Sequence, residues 1–297
     1  MFIVVGLAIL FAGWWIIAAA TSNDPFIVGG GAVGIVAIVA LAYYFTLTRR
    51  MVAPSIALAI MFGANLWIMG LGLSEILRLS FQHEALLVSG GLFAGLVLYW
   101  FLFRVPFTLA LVGIAVLALL YSLSLLNGAA VFDIQNAFLL TADGPFAIIT
   151  ILLGLALLAL AMRFDLSDPH RVTRRSACGF WLHIVAAPAI VNTVALTLLD
   201  SGTPGAYALL FVFLMIIAVF AIVIDRRSFL MAGAGYAVAL STLVLEDSAP
   251  FVILLLGLVL VILGAKWEAI RARILKTLPG FPGKSRLPPW TGCEISS

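Results

Sequence analysis

Ten long apolar runs separated by short polar breaks organise the 297-residue chain. They fall at 2–20, 26–46, 55–73, 85–103, 107–126, 146–162, 176–199, 206–224, 228–245 and 251–265. A hydrocarbon core of about 30 Å takes roughly 20 helical residues. Backbone groups in lipid must be satisfied within the segment, so apolar runs of this length predict helices. The expected fold is an all-α polytopic bundle of ten transmembrane helices over residues 1–265. Composition excludes the soluble alternative. The chain is 64% hydrophobic and 10% charged, where a soluble domain is about half apolar and about a quarter charged.

The breaks carry the charge, and unevenly. Arg49, Arg50, Arg104, Arg163, Arg171, Arg174, Arg175, Arg226, Arg227 and six basic residues from Lys266 to Arg286 fall on one side of an alternating ten-span topology. Only Arg78 falls on the other, alongside Asp24, Glu75, Glu84, Asp133, Asp143, Asp200, Glu246 and Asp247. By the positive-inside rule both termini are expected in the cytoplasm, for a multi-pass protein of a bacterial inner membrane. The Ala18-Ala19-Ala20 end of the first run imitates a cleavage site, but no basic segment precedes it and Trp14 and Trp15 interrupt it. An uncleaved span is the expectation.

Internal similarity suggests a repeat. Arg104, Phe107, Ala110, Gly113, Ala115 and Val116 recur as Arg226, Phe229, Ala232, Gly235, Ala237 and Val238. Asp24-Pro25-Phe26, Asp143-Gly144-Pro145-Phe146 and Asp247-Ser248-Ala249-Pro250-Phe251 resemble one another at three run starts. The expectation is a same-orientation four-helix unit, helices 2–5 repeated as 6–9. Beyond the last run, Trp267, Ile270, Ile274 and Leu278 draw an apolar stripe over 266–278, with Lys266, Arg271, Arg273 and Lys276 nearby. That pattern predicts an amphipathic helix in the membrane interface, meeting anionic lipid through Arg271, Arg273 and Lys276. A flexible, proline-rich tail is expected over 279–297.

Polar residues inside the runs are the candidate substrate-binding positions. His183 lies eight residues past Arg175, about 12 Å deep at helical rise, and five before Pro188. Intramembrane ionisable residues face protein or water and mark functional sites by default, although a hydrogen-bonded core imidazole fits equally. Asn192 follows on the same helix, and Asn65 is at similar depth in the third; interhelical bonding is the simpler role for both. Glu75 and Arg78 form a mixed-charge outer group as i,i+3 neighbours, readable as an ion pair or as a mouth for a charged ligand.

Other chemistries lack their residues. Gly29 to Gly34 spells GxGxxG inside an apolar helix, with no strand before it, and reads as helix packing. Cys178 and Cys293 form no framework. One membrane histidine cannot supply bis-histidine haem ligation, and no zinc spacing, Walker run or GxSxG occurs. No catalytic residue, metal, cofactor or nucleic-acid partner is expected.

About 300 residues in ten spans with both ends inside resembles the drug/metabolite transporter superfamily. Glu246 to Gly264, with Gly257 and Gly264 in a Leu/Val helix, is similar to that family's last hairpin. The resemblance implies transport by inverted five-helix halves, whereas the repeat favours a same-orientation unit; other bacterial multi-pass proteins are as good a home. The leading expectation is a transporter or lipid-translocating protein for a small or amphipathic substrate. A non-catalytic scaffold or accessory subunit is the rival, and a lipid-modifying enzyme using His183 the third reading.

Overall fold

The computed structural model describes residues 2–20, 24–129, 133, 137–142, 144–245, 249–281 and 283–290. Asp143, Glu246, Asp247 and Cys293, together with the side chain of Asp24, lie outside the described residues. Helices account for most of the rest: α1 Phe2–Ala20, α2 Asp24–Ala42, α3 Val52–Ile76, α4 Phe81–Phe103, α5 Thr108–Leu126, α6 Phe146–Ser167, α7 Arg174–Asp200, α8 Pro204–Ile224, α9 Ser228–Leu245, α10 Ala249–Ala265 and α11 Trp267–Thr277. A π-helical turn, Tyr43–Thr48, extends α2, and a 3₁₀ turn spans Lys284–Arg286.

The chain divides into two compact units, Met1–Phe132 and Asp133–Ser297. In the first, α3 packs on α2 and α4, and α4 packs on α5. Leu58, Ala59 and Phe62 of α3 meet Leu96, Tyr99 and Phe103 of α4 in its core, where the Tyr99 ring lies 4.8 Å from Phe62 and 4.6 Å from Phe103. Glycine decides how close α2 comes to α3: a Cβ on Gly34 would stand 2.6 Å from Asn65 Oδ1. In the second unit α7 is central, packed on α6, α8 and α9, with α10 on α9 and α11 against α8. Ala187, Ile190 and Val191 of α7 meet Ile217 and Ala221 of α8 and Phe229 of α9.

The expected ten spans are not all there. Among the described residues, seven helices are long and apolar enough to cross a membrane, or up to eight if α10 and α11 together form one span. Among the described residues, Phe2–Ile17 and Ser228–Val244 are shorter apolar helices and are not counted with the seven. Helix α10 has 17 residues, and an 87° bend separates it from α11. At that bend the apolar sequence does not continue as one straight helix.

No four-helix repeat emerges either, because the matched residues occupy unlike surroundings. Arg104 is exposed, its guanidinium over the Trp100 and Phe101 rings at 5.2 and 5.7 Å; Arg226 is buried against a carboxylate. Phe107 is half-buried at the start of α5, whereas Phe229 is fully buried inside α9. Helices α7 and α9 pack extensively, while α3 and α5 barely meet.

Five described non-glycine residues adopt the left-handed backbone conformation: Arg50, Arg78, Arg104, Arg171 and Asp225. Arg104 and Asp225 do so as the terminal caps of α4 and α8.

Candidate functional site

Helix α6 continues past Met162 to Ser167, and that extra turn carries Asp165 into the protein. The chain then reverses through a turn built on Asp168. Its carboxylate accepts from the Thr173 hydroxyl at 2.7 Å, the Thr173 amide at 2.8 Å and the Val172 amide at 3.2 Å. Thr173 in turn caps α7 by accepting from the Arg175 amide at 3.2 Å. The Thr173 hydroxyl, with those amides, holds the Asp168 carboxyl below the usual carboxylate range. A lowered folded value means the contribution to stability is complete above the unfolded value, near pH 4, and is lost as pH falls through the folded one. Acid unfolding of Asp168→Asn is therefore expected to show less pH dependence below pH 4 than the wild type. Identical acid titrations would remove this role.

The turn aims α7 so that Gly179 faces Asp165. A Cβ on Gly179 would collide with the Asp165 carboxylate, so glycine here makes the space for a buried charge. His183, one turn on and fully buried, sets Nε2 2.9 Å from Asp165 Oδ2. Arg226 enters from the turn after α8. Its Nε donates to Asp165 Oδ2 at 2.9 Å and its Nη2 to Asp165 Oδ1, a two-point pairing that matches the planar guanidinium fork. Nη2 also donates to the Ser176 carbonyl at 3.1 Å, and the guanidinium lies 5.9 Å from the Phe180 ring.

The cluster is charge-balanced when the imidazole is neutral. An ionised carboxylate only accepts, so His183 Nε2 carries the proton toward it and Nδ1 is left a bare lone pair. That Nδ1 is buried with no hydrogen-bond partner. The edge-on ring of Phe229 lies 5.9 Å from the imidazole centre.

Arg226 also forms part of the wall of a cavity of about 1010 Å³, large by the standard of small-molecule sites. One wall is apolar: Phe180, Ile184 and Pro188 on successive turns of α7, and Met231 and Ala232 on α9. The rest combines Arg171, Arg226, Arg227 and Arg271 with Asp225, Glu268, Trp267 and Trp290. Three of these arginines are engaged by the protein. Arg171 pairs with Asp225 at 2.8 Å. Arg226 holds Asp165. Arg271, buried, donates to the carbonyls of Ile222, Val223, Pro288 and Pro289. Arg227 is exposed, its guanidinium 5.0 Å from the Trp267 ring, whose indole N–H donates to Asp225 at 2.5 Å.

Of the residues singled out by sequence, His183 alone joins this cluster. Asn192 accepts from the Tyr236 hydroxyl at 3.0 Å. Asn65, fully buried in the first unit, donates to the Gly31 carbonyl at 2.8 Å while its Oδ1 lacks a partner. Glu75 and Arg78 are both exposed and form no ion pair; Arg78's left-handed backbone ends the helix and turns it off the i,i+3 geometry. On α11 the buried line is Trp267, Arg271 and Leu275, leaving Arg273 and Lys276 exposed. Sequence reading missed Asp165 and the pairing role of Arg226. The available signal was a pair of acids, Asp165 and Asp168, within the basic stretch 163–175.

Comparison with known proteins gives no match to a family model, a curated protein or a solved structure. What the fold and the site establish is the class: the chain is a polytopic, highly helical membrane protein.

Proposed function

We propose that the chain is a transporter or lipid-translocating protein of an inner membrane, and that its substrate is an amphipathic anion. The observation that supports this is the cavity in the second unit, whose lining combines apolar residues of α7 and α9 with four arginines, Arg227 among them. Acyl or other apolar substance suits the first, and a phosphate or carboxylate suits the second. A scaffold has no need of such a cavity. The likeness to drug/metabolite transporters is consistent with this reading and not specific to it. Basic residues at 163–175, at 226–227 and from 266 onward support a cytoplasmic position for these segments. Exposed Arg273 and Lys276 suit contact with anionic lipid.

The test uses the full chain in detergent with short-chain phosphatidylglycerol and the matching phosphatidylcholine as probes. Phosphatidylglycerol is expected to bind at least tenfold more tightly, and Arg227→Ala to remove most of that preference. Equal affinity for the two lipids would overturn the proposal.

A further inference from the structure

We infer that His183, with Asp165 and Arg226, is a proton-binding site coupled to anion binding in the adjacent cavity. This rests on the cavity reading above and adds the co-substrate to it.

Two observations carry the inference. The first is the orphan Nδ1 of His183, a lone pair buried without a donor. Nδ1 is the cluster's one vacant basic nitrogen, and a proton there makes an imidazolium whose charge the Asp165 carboxylate meets through Nε2. The second is the double position of Arg226, which holds Asp165 on one side and lines the cavity on the other. The cluster and the cavity therefore share one guanidinium.

The charge balance follows directly. With His183 neutral, one carboxylate meets one guanidinium, and Arg226 has nothing to spare for a ligand. When Nδ1 takes a proton from water, the imidazolium and the guanidinium face the single Asp165 carboxylate. The site then carries one net positive charge, and Arg226 is able to serve an anion in the cavity. Proton and monoanion together restore neutrality, so each favours the other by the same factor.

The groups that surround His183 fit this scheme. Asp165 faces it from α6, Arg226 from the turn after α8, and the Phe229 ring from α9. Asp225, next to Arg226, is engaged by Arg171 and Trp267. On α9, Tyr236 is bonded to Asn192 farther along α7, and on α7 itself Cys178 lies buried. Among these, His183 Nδ1 is the acceptor with no existing bond to give up.

The experiment is calorimetry of short-chain phosphatidylglycerol binding to the full chain, in two buffers of different ionisation enthalpy, between pH 6 and 8. About one proton is expected to be taken up per lipid bound, with affinity falling about tenfold per pH unit at the alkaline end. His183→Gln keeps an N–H toward Asp165 and has no titrating nitrogen; its proton uptake is expected to fall to zero. Nitrogen spectra of labelled histidine in the wild type are expected to show Nδ1 gaining its proton as lipid is added. Binding without proton uptake, or uptake that persists in His183→Gln, overturns the coupling and leaves the cavity reading standing. Failure of the wild type to bind phosphatidylglycerol at any of these pH values overturns the cavity reading, and the coupling with it.

Discussion

Arg226→Met is expected to destabilise the second unit by about 3–5 kcal/mol, the scale for removing one partner of a buried ion pair. Asp165 would be left among α6, α7 and α9 without its guanidinium, with His183 as its remaining partner and a proton on that imidazole as the one positive charge within reach. Its alternatives are to take a proton or to draw in water, and both disturb the packing of Gly179 against it. Adding Asp165→Asn to Arg226→Met removes the stranded charge while keeping an acceptor for His183, so the double variant is expected to recover much of the loss. Unfolding midpoints of the four chains in one detergent provide the cycle. Equal stability of wild type and Arg226→Met would mean that the pair is solvated and does not hold these helices together.

Arg271→Met is expected to release residues 283–290 and to cost on the order of 3 kcal/mol. The guanidinium ties two separate stretches of backbone, the Ile222 and Val223 carbonyls at the end of α8 and those of Pro288 and Pro289. Methionine fills similar space and donates nothing. Leu287, buried in the native chain, is then expected to become accessible, with faster tryptic cleavage at Lys284 and Arg286. Arg271→Lys is expected to behave more like the methionine variant, because one ammonium cannot match a planar fork spread over four carbonyls. Unchanged cleavage in both variants would show that the segment is held by packing of Leu287 and Pro288 alone.

The helical membrane class was plain in the sequence because apolar runs of this length leave the backbone no other solution in lipid. Individual boundaries also followed: the run at 107–126 is α5 Thr108–Leu126, and the run at 206–224 is α8 Pro204–Ile224. What hydropathy does not contain is direction. The 87° break after Ala265 adds nothing to an apolarity profile, yet it removes α10 from the straight spans. The site failed to appear for a different reason. Asp165 stands 18 residues from His183 and 61 from Arg226, and each looked like loop or helix on its own. Burial of His183 was readable from its depth, whereas its partner depended on α6 running past Met162, where the uninterrupted apolar run ends, to Ser167. Arg271 shows the converse case. It is basic and flanks a stripe, so sequence assigns it to lipid, but its donors go to carbonyls that only the tertiary fold brings near.

The left-handed turns place two demands on the same codons. Four of the five non-glycine residues in that conformation are arginines, where glycine would relieve roughly 1–2 kcal/mol of steric conflict apiece. Glycine would also erase a positive charge of the kind that biases the orientation of a hairpin as it enters a bilayer. Equilibrium stability and biosynthetic fidelity thus pull in opposite directions at Arg50 and Arg104, whereas Arg171 is also held by its pair with Asp225. A variant stabilised by glycine at these turns would melt later once assembled, and a larger fraction of newly made chains would enter the membrane the wrong way round.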